Sequence, residues 1–371
     1  MNKYLFLFIL VFIIGSLYVS NLPDKNISPS PQSATITSAN PDPSGQEKTK
    51  IIAQNLDTPW GIVFLPDGKI LVTQRSGLVS LIENGEIKTV AELTRVKEVG
   101  EGGLLGLALH PDFPQNNFVY FYYTYDSKAN GTLNRVVRMN FKDDKLTDEK
   151  IIVDIIPGAS NHNGGRIKFG PDGFLYITTG DAQDPSRSQD KNSLAGKILR
   201  VTFEGKPAPG NPFGNLVFSY GHRNSQGLAW DSTGRLWATE HGRSGLQSGL
   251  DELNLIESGK NYGWPDIQGD EKKSGMVSPE VHSGSDTWAP AGAALIDNSI
   301  FFSGLRGSAL YKYDLSPKKL EEFFKNEFGR IRDVVAGPDG MLYISTSNLD
   351  GRGTPQVNDD KIIRINPALL P

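Results

Sequence analysis

The chain has 371 residues, a formal net charge of −4 and basic residues spread along its length, which argues against nucleic acid as a partner. Its 40 glycines and 23 prolines mark a turn-rich chain, while 38% hydrophobic residues mark a globular rather than a disordered one. The absence of cysteine excludes disulfides, a thiol nucleophile, iron–sulfur clusters, covalently attached c-type haem and an N-terminal lipoprotein anchor.

In chain order, Lys3 precedes an apolar run from Tyr4 to Ile14 that thins out at Gly15 and Ser16. A charged start with a short apolar core reads as a secretory signal over residues 1–20, or as an uncleaved anchor. Residues 21–48 are rich in Ser, Pro, Asn and Thr and read as a flexible tether. The folded domain is expected over 49–371, exported to the periplasmic or extracellular face. It would touch a membrane only through the N-terminal segment.

One phrase then recurs. Pro66-Asp67-Gly68, Pro171-Asp172-Gly173 and Pro338-Asp339-Gly340 are each followed by an alternating apolar strand. Looser copies stand at Asp231-Ser232-Thr233-Gly234 and at Pro111-Asp112-Phe113. Proline presets the turn and Asp-Gly supplies the positive-φ position that closes a hairpin. Copies near 109, 169 and 230 are about 60 residues apart, a spacing suited to four-stranded blades with long inner loops. Five copies, with a degenerate one around Ala294–Phe302, predict an all-β, six-bladed β-propeller of four-stranded antiparallel blades. A β-sandwich or separate β-domains is the alternative. The mouth of the central channel is the default site.

Several constellations could carry chemistry. His162 lies in the polar loop Ser160–Arg166, with Gly164-Gly165 beside it and Asp181 closing the same hairpin. A carboxylate near an imidazole fixes its tautomer and suits it to general-base work, although a lone histidine is as readily structural. His110, His222, His241 and His282 keep the structural reading. Arg223 and Asn224 at a Gly-backed apex could bind a carboxylate or carbonyl, or form a solvated turn. Gly242 could offer backbone oxygens to a hard cation, and Asp251-Glu252 with Tyr262 could form a second calcium site or blade-edge hydrogen bonds. Strand alternation puts Arg330 and Arg332 on one face, which suits a polyanionic ligand, with Arg306 as a third cation. Trp288 beside Thr287 is either core or a lid on a flat ligand. No nucleotide-binding fingerprint, phosphate loop, G-x-S-x-G elbow or HExxH motif occurs.

Taken in order, Thr58–Gly61, Glu101–Gly106, His162 with Gly165-Arg166, Gly180-Asp181, Gly221–Asn224, Asp251-Glu252, Asn261–Pro265 and Arg330–Asp333 resemble the soluble, pyrroloquinoline quinone (PQQ)-dependent sugar dehydrogenases of the glucose/sorbosone dehydrogenase family. The resemblance is to the aldose sugar dehydrogenase branch and runs from about Leu56 to Ile365. It implies PQQ and Ca²⁺ as cofactors, an aldose as substrate, a lactone as product and a monomer or homodimer. With no haem motif, electrons would leave through an external acceptor such as a cytochrome, a quinone or a dye.

By motif match the resemblance implies that His162 is the base, Asp181 orients it, and Arg223 with Asn224 binds the reactive side of the quinone. Gln74, Arg306, Arg330 and Arg332 would hold its carboxylates, with Asn161, Thr287 and Trp288 also at the cofactor. Backbone oxygens of Gly242 and Arg243 would ligate the catalytic calcium, and Glu252 and Tyr262 a structural one. Asn161 stands where the glucose dehydrogenase branch has an acid, Arg306 where it has lysine, and Arg243 where it has proline. Short loops after Trp264 point to an open site with broad substrate tolerance. The competing classes are a calcium-dependent propeller lactonase, which would want inward carboxylates, and a non-catalytic binding propeller, which needs neither the base nor the arginines.

Overall fold

A computed structural model describes residues 47–129, 131–245 and 248–371. The expectations for the leader and for most of the tether fall outside the described residues. Among those residues no helix is long and apolar enough to cross a membrane.

The Pro-Asp-Gly phrase does the same local work in each clear copy. Gly68, Gly173 and Gly340 have φ of +87°, +78° and +75°, and a Cβ there would meet no atom, so glycine is required for conformation rather than for space. The aspartate closes the turn: Asp172 Oδ1 accepts the Phe174 N–H at 3.2 Å and Asp339 Oδ1 accepts the Met341 N–H at 3.2 Å. The other carboxylate oxygen ties down the hairpin's own strand and the one after it. Asp172 Oδ2 accepts from the Tyr176 hydroxyl at 2.9 Å and Arg200 Nε at 2.8 Å. Asp339 Oδ2 does the same with Tyr343 at 3.1 Å and Arg364 at 2.8 Å.

Six such units form six four-stranded antiparallel sheets, the propeller expected from the repeat. Five are built from consecutive strands. The sixth takes Ile331–Ala336, Leu342–Thr346 and Ile362–Ile365 from the end of the chain and adds Thr49–Ala53 from the start, pairing Thr49 with Ile365. This pairing of the first strand with the last closes the ring of blades.

The core is distributed. Each of six apolar clusters among the described residues lies between two neighbouring blades. Both faces of a blade are therefore covered, which is why strands such as Leu175–Thr179 and Leu342–Thr346 are buried at every position.

The innermost strands of five blades share an irregularity. Their pairing register shifts after Pro59, Leu104, Ser225, Pro290 and Ile331, close to where each strand begins. Such bulges re-aim side chains. The skipped residues include Trp60, Gln226 and Arg332, all nearly fully buried, and these meet one another: Arg332 donates to Gln226 Oε1 at 2.7 Å and lies 5.6 Å from the Trp60 ring centre. Gln226 and Arg332 line a cavity at that end of the channel, with Trp60 packed beside Arg332.

Candidate active site

Two cavities occupy the channel. The larger, 780 Å³, lies among the middle and far ends of the inner strands, with Ile167, Leu228, Leu295 and Val335 on its wall. It is closed toward the smaller one by the buried Arg166–Asp333 ion pair at 2.9 Å, and Arg166 Nε also donates to the Gln226 carbonyl at 2.9 Å. The smaller cavity, 160 Å³, concentrates the charge. Arg223, Arg243, Arg306, Arg330, Arg332 and Arg352 line it, against Glu101 and Asp251.

Two of the six arginines are neutralised by carboxylates. Arg330 pairs with Asp350 at 2.8 Å and Arg352 with Glu101 at 2.6 Å. Asp251 is spent on the backbone, accepting from the N–H groups of Gly242 at 2.7 Å, Trp288 at 2.7 Å and Ala289 at 2.9 Å. Arg223, Arg243, Arg306 and Arg332 make no ion pair within 4 Å among the described residues. The Nε atoms of Arg223, Arg243 and Arg332 are buried and find no hydrogen-bond partner. Burial lowers the pKa of both Arg223 and Arg332, the latter to about 9. Arg223 and Arg332, buried without a counter-charge, with Arg243 and the exposed Arg306 beside them, make a site complementary to a polyanion.

His162 is tied to this cavity through Glu101, a residue of its wall. Its loop joins the outer strand Lys145–Pro157 to the inner strand Ile167–Phe169, and His162 itself has φ of +61°. Three contacts hold that left-handed turn. Glu101 Oε2 accepts the His162 N–H at 3.1 Å, Asn224 Oδ1 accepts the Gly164 N–H at 2.9 Å, and Gly165 N–H bonds the Thr178 carbonyl at 2.9 Å. Nδ1 lies 2.8 Å from Asp181 Oδ1, which also accepts the Gln183 N–H at 2.8 Å. The carboxylate therefore assigns the ring proton to Nδ1 and leaves the Nε2 lone pair as acceptor. Burial alone would raise the carboxyl of Glu101, but His241 and Arg352 hold it down at about 2. The ion pair that clamps the base's backbone is thus fixed over the working pH range.

Gly180 is the tightest point of this arrangement. A Cβ there would fall 1.9 Å from the His162 carbonyl oxygen. Gly180→Ala is expected to displace the His162 backbone, lower turnover, and cost roughly 1–3 kcal/mol of stability as an overpacked site. Unchanged turnover and melting midpoint would show that the loop yields freely.

The remaining expected residues divide. Thr287, Gly242 and Arg243 lie on the cavity wall with Arg223, Arg306, Arg330 and Arg332. Asn224 sits between the base loop and the cavity with its Nδ2 buried and unpartnered. Asn161 is turned to Arg352, which donates to its Oδ1 at 2.8 Å. The Gln74 amide is engaged locally, accepting the Asp57 N–H at 2.5 Å and donating to Ser80 Oγ at 2.8 Å, and it is absent from the wall. The Trp288 ring packs on Phe302 and Tyr311 within an apolar cluster, as the core reading of this residue expects.

The Tyr262 hydroxyl donates to the Leu255 carbonyl at 2.6 Å, and the ring stacks on His222 at 4.8 Å. His222 is structural, held by Glu240 at 2.7 Å and Ser219 at 2.8 Å. Glu252 is buried across from Glu240 on the paired strands, and burial followed by that neighbouring charge pushes its carboxyl well up. Sequence reasoning missed the placements of Gln226, His241, Ser244 and Arg352 on the wall. His241 is the most notable, with a buried, unpartnered Nε2 and a pKa lowered by burial to about 3. Its only sequence signal is adjacency to Gly242.

Comparison with known proteins places this geometry. A family model described as glucose/sorbosone dehydrogenase matches residues 56–363. The PQQ-bound aldose sugar dehydrogenase of Streptomyces coelicolor is 41% identical, with a TM-score of 0.80 over 86% of this chain and 97% of that one. A Thermus thermophilus oxidoreductase described as a glucose dehydrogenase is 43% identical, with a TM-score of 0.82 over 86% of this chain and 99% of its own. An aldose sugar dehydrogenase of Escherichia coli K12 is 32% identical over 81% of this chain and 90% of its own length. The chain belongs to the glucose/sorbosone dehydrogenase family.

Proposed function

We propose that this protein oxidises aldoses to lactones with PQQ and Ca²⁺, passing the electrons to an external acceptor. The observation that carries this reading is the set of four arginines without counter-ions beside a His–Asp pair. PQQ is a flat tricarboxylate, and its acid groups suit this cluster of guanidiniums, of which Arg223 and Arg332 are buried without a carboxylate partner among the described residues. Arg306, Arg330 and Arg332 would hold those carboxylates. Arg223 and the free Nδ2 of Asn224 would face the reactive side. Gln74 and Trp288 are committed elsewhere and receive no cofactor contact in this reading.

For calcium, the relevant donors are backbone oxygens of Gly242 and Arg243, which suit a hard cation. Gly242 is locked in place by its bond to Asp251, and a Cβ on it would strike the Gly249 carbonyl at 2.2 Å. When bound, PQQ supplies a carbonyl carbon that accepts hydride, and Ca²⁺ makes that carbonyl more electrophilic. His162 Nε2 takes the proton of the anomeric hydroxyl as hydride leaves the anomeric carbon. Asp181 holds Nδ1–H and stabilises the imidazolium that forms. Glu101, through the His162 N–H, ties the base's loop to the cavity wall.

Glu252 beside Glu240 supports a second, structural calcium. In the unliganded fold Glu252 keeps a proton that the unfolded chain loses above a pH of about 4.3. The native state then binds more protons, so this group's contribution to stability falls as pH rises through that window. A cation at the pair reverses the loss. Calcium is therefore expected to raise the melting midpoint more at pH 8 than at pH 5, and Glu252→Gln to remove the difference. A calcium effect that is independent of pH, or intact in the variant, counts against this second site.

The direct test of the function is to add PQQ and Ca²⁺ to metal-free protein and assay dye reduction by several aldoses. Turnover with lactone as product is expected. No turnover together with no change in quinone absorbance would exclude the reading.

A further inference from the structure

The His162–Asp181 pair has a third member that neither the sequence nor the family relationship assigns. Trp264 Nε1 donates to Asp181 Oδ2 at 2.9 Å, across 83 residues of chain. Asp181 is fully buried, and its two oxygens divide their work. Oδ1 accepts from His162 Nδ1 and the Gln183 N–H, whereas the indole is the one donor to Oδ2 among the described residues. Without it, Oδ2 would be a buried acceptor with no partner among the described residues, and the carboxylate's rotation about its Cβ–Cγ bond would be restrained through Oδ1 alone.

Trp264 is itself held at several points. Its N–H bonds the Gly221 carbonyl at 2.9 Å, and its carbonyl accepts from Gln189 Nε2 at 2.7 Å. Gln189 is anchored in turn by the side chain of Asn261, which donates to its Oε1 at 2.8 Å. The indole ring lies 5.2 Å from the guanidinium of Arg223, one of the unpaired cavity arginines. A single side chain thus ties the base's carboxylate to the group expected to face the reactive end of the cofactor.

We infer that Trp264 is a positioning residue for the base. Its indole N–H fixes the plane of the Asp181 carboxylate, and that plane fixes the plane of the His162 imidazole. The inference rests on the sugar-oxidation reading for its kinetic consequence but not for its structural one, so the two can fail separately. Trp264→Phe keeps an aromatic ring and removes the donor, together with the second ring of the indole.

In cofactor-free protein, the downfield Nδ1–H proton resonance of His162 is expected to shift or broaden in this variant. In the reconstituted enzyme, kcat is expected to fall about tenfold, while KM for the aldose and the PQQ dissociation constant stay within twofold. The reciprocal measurement guards against a variant that fails to fold. Asp181→Asn is expected to move the Trp264 indole N–H resonance and to leave the other four tryptophan indoles unmoved.

An unchanged His162 resonance in Trp264→Phe overturns the inference, as does a kcat within twofold of wild type. An unmoved Trp264 indole in Asp181→Asn overturns it as well. A wild-type protein that binds no PQQ and turns over no aldose sinks the functional reading instead, and the resonances still decide the role of Trp264.

Discussion

Replacing Arg332 with methionine is expected to weaken PQQ binding by about 10–100-fold while leaving the unliganded protein at least as stable as wild type. The two effects have one origin. Arg332 is almost fully buried, pairs with no carboxylate, and has one nitrogen without a partner. Burial lowers its pKa to about 9, below that of a free guanidinium. At neutral pH the fold therefore carries a charged group that it disfavours, and this cost persists at every pH below the lowered value. Methionine fills similar space without the charge, and the Gln226 oxygen left behind loses a bond worth about 1 kcal/mol. A carboxylate of the cofactor loses a charge-assisted bond worth about 1.5–3 kcal/mol. Absorbance titration with PQQ and a thermal melt measure the two sides. Unaltered affinity, or a melting midpoint several degrees lower, would show that Arg332 serves the fold rather than a ligand.

His162→Ala is expected to lower turnover by about 10²–10⁴-fold, the usual contribution of a positioned base, with little change in PQQ affinity. The affinity stays because the arginines hold the cofactor and His162 is not among the residues that line their cavity. Stability should fall modestly, since buried Asp181 loses one of its donors at a cost of about 1–3 kcal/mol. Single-turnover reduction of the bound quinone separates this chemical defect from slow product release. Surviving turnover would reassign the proton acceptor, with His241 the next candidate on the cavity wall.

What was legible in the sequence was local. The Pro-Asp-Gly phrase encodes its own turn, its Asp cap and its strand within about ten residues, so the blade count followed from counting phrases. The His162–Asp181 pair was legible for the same reason, because both residues flank one hairpin 19 positions apart. Contacts that depend on closing the ring were not. Arg352 reaches Glu101 across 251 positions, Gln226 meets Arg332 across 106, and Thr49 seals the last blade against Ile365. No periodic pattern reports such pairs. The arginine pair shows a subtler limit. Simple alternation put Arg330 and Arg332 on one face, whereas a bulge at Ile331–Asp333 sets the direction of Arg332. Trp288 shows another limit, since an aromatic at a strand entry looks the same in sequence whether it packs inward or covers a ligand.

The central claim is that the arginine cavity and the His162–Asp181 pair act together on one bound quinone and one sugar. The most direct measurement is the absorbance of PQQ bound to the protein with Ca²⁺ after mixing with an aldose, with no dye present. Loss of the oxidised quinone's absorbance, with lactone formed in equimolar amount, is the expected result. Quinone that binds the protein yet stays oxidised with every aldose offered would contradict the account.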